Sequence, residues 1–168
     1  WQLGAHLVIC GDAADATVVN TLMDGDKAVL CFTSPPYGNQ RDYTNTIIDW
    51  DVLMRGVFSQ LPMAANGQVL VNLGLIHRDN EVILYWEGWL DWMRAQGWRR
   101  FAWYVWDQGP GLPGDWNGRL APSFEFIFHF NRQARQANKI MPCKFAGQET
   151  HLRKDGSSTA MRKKDGTI

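Results

Sequence analysis

The chain has 168 residues, of which 45% are hydrophobic and 20% are charged. This composition is typical of one globular domain and excludes a disordered or collagen-like chain. No apolar run reaches the roughly 20 residues of a membrane helix, and three widely spaced cysteines favour neither a disulfide framework nor a zinc site. We therefore expect a protein of the reducing cytoplasm, with no membrane and no metal. Because residue 1 is Trp, we also expect an excerpt of a longer product.

The 17 basic and 17 acidic side chains are unevenly distributed. Residues 1–131 carry 8 basic and 14 acidic side chains, a net charge of −6, whereas residues 132–168 carry 9 basic and 3 acidic ones, a net charge of +6. We therefore predict a folded domain over 1–131 followed by a basic segment over 132–168. Such a segment suits a phosphate backbone, because Lys and Arg release its condensed counterions. A solvated tail is the alternative.

The first elements along the chain alternate between strand and helix. His6–Cys10 is a short apolar run that predicts a strand, ended by Gly11-Asp12, and Asp15–Met23 has helical spacing. Ala28–Thr33 is apolar and rich in β-formers, which predicts a buried parallel strand. Pro35 and Pro36 end it, because neither can donate to a β-ladder.

The following elements continue the alternation. Trp50–Leu61 carries a helical apolar stripe, and Asn66-Gly67 separates it from a strand over Gln68–Leu73. Asp79–Gln96 predicts one long amphipathic helix, with Gly97 as its carboxyl-terminal cap.

The last two predicted strands differ from the others. They are Phe101–Trp106 and Phe124–Phe130, joined by a Gly/Pro-rich loop with no helical pattern. A connection without a helix indicates an antiparallel pair, which we place at the sheet edge. The element order predicts an α/β fold with a three-layer, mostly parallel sheet.

Two segments fall where such sheets bind ligands, beyond the carboxyl ends of the strands. After the first strand, Asp12 can accept hydrogen bonds from a ribose or an adenine, or can cap the next helix. After the second, Ser34-Pro35-Pro36-Tyr37 forms a rigid corner with two fixed acceptors, the Ser34 hydroxyl and the Pro35 carbonyl, beside an aromatic ring. This set can hold a planar group with an NH₂, although a plain proline turn is the alternative.

These residues resemble a known family. Cys31-Phe-Thr-Ser-Pro-Pro-Tyr37, preceded by Val8-Ile-Cys-Gly-Asp-Ala13, is similar to the amino-terminal part of the bacterial and phage DNA amino-methyltransferases, some of them from restriction–modification systems. Their catalytic motif is Asp/Asn/Ser-Pro-Pro-Tyr/Phe/Trp. They transfer a methyl group from S-adenosylmethionine to adenine N6 or cytosine N4 of a flipped base. The Ser at the first position favours cytosine N4 weakly and leaves adenine N6 open.

The resemblance implies a Rossmann-like fold, incomplete here, and a set of site residues. The catalytic residues would be Ser34, Pro35, Pro36 and Tyr37, and the cofactor-binding residues Asp12, Ala13, Thr33, Ser34 and Pro36. The partner would be double-stranded DNA, with a homodimer left open. DNA contacts are expected from the polar loop after the motif and from the basic segment, namely at Asn39, Gln40, Arg41, Arg132, Arg135, Lys139 and Lys144.

The sequence departs from the family pattern in two places. The region from Trp106 to Ser123-Phe-Glu-Phe126 is similar to one where family members have Trp-x-Lys and a later Glu, but Gln108 stands at the Lys position. The Phe-x-Gly-x-Gly cofactor turn is missing from the 168 residues. Gly109–Gly114 matches G-x-G-x-x-G, but it contains two prolines and no helical pattern follows. An RNA amino-methyltransferase and an inactive nucleic-acid-binding module therefore remain alternatives, and we expect weak or no cofactor binding.

Overall fold

A computed structural model of the chain describes residues 1–37, 49–109 and 118–136. Those up to Arg135 belong to one compact unit. Its central sheet has four strands, in the spatial order β3 (Ala28–Thr33), β4 (Met63–Leu73), β8 (Phe124–Asn131) and β7 (Arg99–Asp107). β3 and β4 are parallel, whereas β8 is antiparallel to both β4 and β7. The predicted α/β class and the antiparallel edge pair are confirmed, and among the described strands parallel pairing is confined to β3 and β4.

The predicted first strand is wrong. Its residues form only β2 (His6–Leu7), which pairs with β1 (Gln2–Leu3) in a hairpin outside the four-stranded sheet. Gly4, in the turn, has a φ of 62°, a conformation that glycine adopts without steric cost. Local pairing of neighbouring residues thus replaces pairing with the central sheet.

The long helix predicted over Asp79–Gln96 is also wrong in its first half. The chain there forms a second hairpin, β5 (Ile76–Arg78) and β6 (Glu81–Ile83). Asp79 and Asn80 have φ of 51° and 65°, the left-handed pair that a two-residue hairpin turn requires. The Asp-Asn pair was the available signal, because these residue types tolerate that conformation best after glycine.

The described residues also form three helices, α1 (Ala16–Met23), α2 (Trp50–Ser59) and α3 (Glu87–Ala95). The Asp15 and Asp49 side chains cap α1 and α2 by accepting first-turn backbone N–H groups. Gly97 follows the end of α3 with a φ of 83°, and the bonds from its N–H and that of Trp98 to the carbonyls of Arg94 and Met93 form a Schellman motif. The role predicted for this glycine at the helix end is confirmed.

The core lies between one face of the sheet and the helices α2 and α3. Val69, Val71 and Leu73 of β4 are fully buried there, as the alternation of a strand requires. The packing is mainly aromatic: Trp89 of α3 contacts Phe58 of α2 and Phe130 of β8, and further ring pairs extend to Trp50, Tyr85, Trp86 and Phe128. Rings at these distances add stabilisation beyond their buried area.

The opposite face of the sheet is largely uncovered in the described part of the chain. Leu30 and Phe32 of β3 are each 55% exposed, which corrects the prediction of a buried strand, although its parallel pairing is confirmed. The pattern of short apolar runs predicts burial only if helices cover both faces.

β4 begins five residues earlier than predicted. The Asn66-Gly67 pair lies inside it, at a register irregularity between Ala28 and Leu30 of β3, rather than ending an element. A side chain at Gly67 would come within 2.9 Å of the Ala64 carbonyl oxygen, so only glycine fits. No helix among the described residues is long and apolar enough to cross a membrane.

Candidate active site

The Ser-Pro-Pro-Tyr turn lies where three strands of the sheet bring their ends together. β3 ends at Thr33, directly before Ser34. The parallel strand β4 ends beside it at Leu73, and β8 enters antiparallel, with Phe126 opposite Leu73. The carboxyl ends of β3 and β4 and the amino end of β8 therefore meet at one edge, the edge at which α/β sheets bind ligands.

The carbonyl oxygens of the two prolines differ in hydrogen bonding. The Trp50 indole N–H, in the first turn of α2, donates to the Pro36 carbonyl oxygen at 2.6 Å. The Pro35 carbonyl oxygen accepts no hydrogen bond from any described residue. Because the pyrrolidine rings fix two successive φ angles, this acceptor has a defined position. Ser34 beside it is exposed.

Four polar side chains are joined by hydrogen bonds at this edge. The Tyr37 hydroxyl donates to Glu125 Oε2 at 2.8 Å and lies 3.1 Å from Ser34 Oγ. The Asn72 Nδ2 group donates to the Tyr37 hydroxyl at 2.7 Å, to Glu125 Oε2 and, at 3.5 Å, to Ser34 Oγ. Asn72 is only 2% exposed, and its Oδ1 has no partner among the described residues. The opposite assignment of the amide would aim Oδ1 at the carboxylate, which is also an acceptor.

Burial and charge raise the pKa of two tyrosines here. Desolvation is the main cause at Tyr37, and Glu125 adds to it, while hydrogen bonds from Ser34 and Asn72 act the other way. Tyr85 packs against Trp50 and donates to the Gly74 carbonyl oxygen at 3.0 Å. Its pKa is also raised, first by burial and then by the charges of Tyr37 and Glu125. Both phenols therefore stay protonated well above neutral pH.

A cleft of about 320 Å³ opens beside Tyr37. This volume is at the low end of the range for small-ligand sites. The cleft is lined by Tyr37, Gly74, Leu75, Gln108, Pro122, Phe124 and Glu125. Gly74 is in close contact with the tyrosine, because a Cβ there would lie 3.0 Å from a carbon of the Tyr37 ring.

The residues predicted for the cofactor are not all brought together. Thr33, Ser34 and Pro36 are at the sheet edge, but Asp12 and Ala13 are exposed in the turn before α1. One Asp12 carboxylate oxygen accepts the Ala14 N–H at 2.8 Å, and the helix cap is Asp15, so the helix-cap alternative for Asp12 is wrong.

The two groups of predicted cofactor residues contact α2 at different turns. Ala14 packs on the last turns of α2, next to Gly56. Its carbonyl oxygen accepts a hydrogen bond from the Gln60 side chain. Pro36 is bound at Trp50, the first residue of α2. At 1.5 Å per residue, these contact points are about 9–15 Å apart along the helix axis. The cleft beside Tyr37 does not reach Asp12 or Ala13.

Most of the predicted DNA contacts fall outside the described residues: Asn39, Gln40, Arg41, Lys139 and Lys144. Arg132 and Arg135 are described and exposed. The Arg132 guanidinium lies 4.3 Å from the centre of the Trp98 ring, within the range of a cation–π contact.

Beside Trp98 lies a second cleft, of about 640 Å³, which no sequence pattern indicated. Arg94, Arg99 and Arg100 line it. In the described ranges the only ion pair of an arginine is Arg55 with Asp51, at 2.5 Å, so these guanidinium groups have no carboxylate partner there. The register from Glu125 to Asn131 puts this end of β8 about 20 Å from the Ser34–Tyr37 edge.

Asn72 and Gly74 were also missed, and Glu125 was noted only as part of a similar stretch. An asparagine near the end of an apolar strand, and a glycine after it, are weak signals by themselves. Asn72 and Glu125 reach the Tyr37 hydroxyl only in the folded chain, because they lie 35 and 88 residues from Tyr37 in the sequence. The described residues contain no group of three His, Cys, Asp or Glu side chains arranged to hold a metal ion.

Comparisons with known proteins bear on the fold. No protein-family model and no curated protein sequence matches the chain. Among solved structures, it is similar to the cytosine-N4-specific PvuII DNA methyltransferase, with a TM-score of 0.54 and 20% identity over 73% of this chain and 48% of the other. It is also similar to M1.HpyAVI in complex with SAM, with a TM-score of 0.50 and 12% identity over 79% of this chain and 60% of the other.

A third similar structure is a protein of Thermus thermophilus, provisionally assigned as a DNA modification methylase. The TM-score is 0.50, at 20% identity over 80% of this chain and 58% of the other. The chain thus spans about half to three-fifths of the length of these proteins. It has the fold found in these DNA methyltransferases.

Proposed function

We propose that this chain carries the methyl-acceptor half of a DNA amino-methyltransferase. The observation that carries the proposal is a pair of acceptors at the sheet edge, next to the Tyr37 cleft. They are the exposed Ser34 hydroxyl and the Pro35 carbonyl, which accepts no hydrogen bond from a described residue. The fold shared with DNA methyltransferases supports it.

The acceptors and the aromatic ring suit an extruded nucleobase. A base can enter such a cleft only outside the duplex, at a cost of a few kcal/mol of unstacking. Its exocyclic NH₂ would donate one hydrogen to Ser34 Oγ and the other to the Pro35 carbonyl, while the Tyr37 ring supports its plane. Both acceptors then face the positive charge that develops on the nitrogen, and because they are already in position the gain in rate comes from preorganisation.

The proposed methyl donor is S-adenosylmethionine, which would supply an electrophilic methyl group. The predicted cofactor residues lie at two places along α2, because Pro36 is bonded to its first residue whereas Ala14, next to Ala13, contacts its last turns. The described part of the chain therefore provides the acceptor side of the site.

Cytosine N4 is the proposed position, and adenine N6 is the alternative. The PvuII enzyme, of similar fold, is cytosine-N4-specific and supports cytosine N4 as the first choice.

The proposed DNA-binding surface consists of Arg132 and the three arginines of the second cleft, Arg94, Arg99 and Arg100. At about 20 Å from the Ser34–Tyr37 edge, it would contact phosphates remote from the target base.

The test is methyl transfer from labelled S-adenosylmethionine to DNA duplexes built either from A·T pairs or from G·C pairs, with the labelled base identified after digestion. RNA of the same sequence is a further arm. The chain is assayed alone and, where the reading frame continues, with the residues that follow Ile168. Ser34→Ala should lower the rate about 100-fold with DNA affinity unchanged. Ser59→Ala is the matched control, since its hydroxyl bonds only to the Gly56 carbonyl in α2.

The methyl-transfer results distinguish the DNA enzyme from the RNA enzyme and from an inactive binding module. Transfer to RNA only would favour the RNA enzyme, and DNA binding without transfer in both forms would favour an inactive binding module. Transfer by Ser34→Ala at the wild-type rate would reject the proposed site.

A further inference from the structure

The hydrogen bonds around Tyr37 have only one consistent direction. A carboxylate is an acceptor only, so the Tyr37 hydroxyl proton goes to Glu125 Oε2. The Asn72 NH₂ likewise donates to Glu125 and to the Tyr37 oxygen. Because the Tyr37 proton is engaged, the contact between Ser34 Oγ and the Tyr37 oxygen must carry the Ser34 proton. Asn72 Nδ2 also donates to Ser34 Oγ, at 3.5 Å, the long limit of a hydrogen bond. A hydroxyl oxygen has two lone pairs, so one of them is left for a ligand N–H.

We propose that Glu125 is the terminal proton acceptor of the methylation step and receives the proton through Tyr37 and Ser34. This inference rests on the proposed function. When the N–C bond forms and the S–C bond of a methyl sulfonium donor breaks, the amine nitrogen must lose one proton. That proton passes to Ser34 Oγ, the Ser34 proton to the Tyr37 oxygen and the Tyr37 proton to Glu125. The products are a neutral methylamine, a neutral thioether and a protonated Glu125.

The environment of Glu125 fits this assignment. The described residues place no Lys or Arg in ion-pair contact with it, so its negative charge is not already neutralised. The Asn72 NH₂ holds the carboxylate in place and is a neutral donor. Asn72 is almost fully buried, which fixes the geometry of the whole chain of bonds. Both Tyr37 and Glu125 line the cleft, so the path ends beside the space proposed for the base.

Tyr37 would thus have two separable functions. Its ring supports the base, and its hydroxyl passes the proton. Tyr37→Phe removes the hydroxyl only, and Glu125→Gln keeps an acceptor oxygen for the Tyr37 hydroxyl but cannot take a proton as a carboxylate does. Each variant should lower kcat about 100-fold, the low end for general base catalysis, with KM for DNA within twofold of wild type. The double variant should be no slower than either single one, because both interrupt one path.

Spectrophotometric titration of Tyr37 tests the hydrogen-bond geometry without any methyl donor. The chain has four tyrosines, so the Tyr37 signal is the difference between the wild type and Tyr37→Phe. Because Glu125 raises the pKa of Tyr37, Glu125→Gln should lower that pKa. Glu81→Gln, on β6 and exposed, is the matched control and should leave it unchanged.

The outcomes separate this inference from the proposed function. An active wild type with a fully active Tyr37→Phe or Glu125→Gln overturns the proton path and leaves the proposed function standing. A Tyr37 pKa that does not respond to Glu125→Gln overturns the hydrogen-bond chain, whatever the activity. No transfer to any nucleic acid by the wild type, in either form of the chain, rejects the proposed function and the proton path with it.

Discussion

Gly74→Ala tests how closely the Tyr37 ring packs against the backbone at residue 74. A Cβ at residue 74 would lie 3.0 and 3.1 Å from two carbons of the Tyr37 ring and 3.6 Å from Glu125 Oε1. Carbon atoms rest at about 3.5–4.0 Å, so the ring must move by about 0.5 Å or more. That shift would displace a hydroxyl held at 2.8 Å from Glu125 and 2.7 Å from Asn72.

Gly74→Ala should lower both the stability and the activity. Overpacking of this kind costs about 1–3 kcal/mol, which in a chain of this length lowers Tm by about 2–12 °C. Displacing a positioned group by 1 Å can cost about 100-fold in rate, so we expect methyl transfer to fall at least about tenfold. The assays are thermal unfolding and methyl transfer to DNA, with the wild type measured in parallel.

Gly88→Ala provides the matched control. Gly88 is in the first turn of α3, and the nearest atom to an added Cβ is Asp51 Oδ1 at 3.9 Å, an ordinary contact. Alanine is favoured over glycine in a helix by up to about 1 kcal/mol, so this variant should keep full activity and an equal or higher Tm. If Gly74→Ala has the wild-type Tm and the wild-type rate, the close packing of Tyr37 on Gly74 is refuted.

Two further predictions concern ligands. In calorimetry, the 168 residues alone should bind S-adenosylmethionine weakly or not at all, because they contain no Phe-x-Gly-x-Gly turn; tight one-to-one binding would contradict this expectation. Replacing Arg94, Arg99 and Arg100 together by alanine should weaken DNA binding and make the slope of log affinity against log salt less steep by about 3, one unit for each lost phosphate contact; a slope equal to that of the wild type would exclude this cleft as a DNA contact.

The local features of the fold follow from short stretches of sequence. Pro35-Pro36 had to end the strand before them, because proline lacks the N–H that a ladder needs. β3, α1 and α2 lie within two residues of their predicted bounds, since the apolar spacing and the capping aspartates act over a few residues only. The antiparallel pair β7 and β8 was also predictable, from a connection with no helical pattern.

Tertiary structure decided which side chains share the site. Asn72 and Glu125 are 35 and 88 residues from Tyr37 along the chain, and only the register that sets Leu73 of β4 opposite Phe126 of β8 brings them to its hydroxyl. A slip of one residue would turn Glu125 to the helix-covered face, because side chains alternate along a strand. That register follows from packing the alternate apolar residues of both strands under α2 and α3, a sum of long-range contacts that no local pattern records.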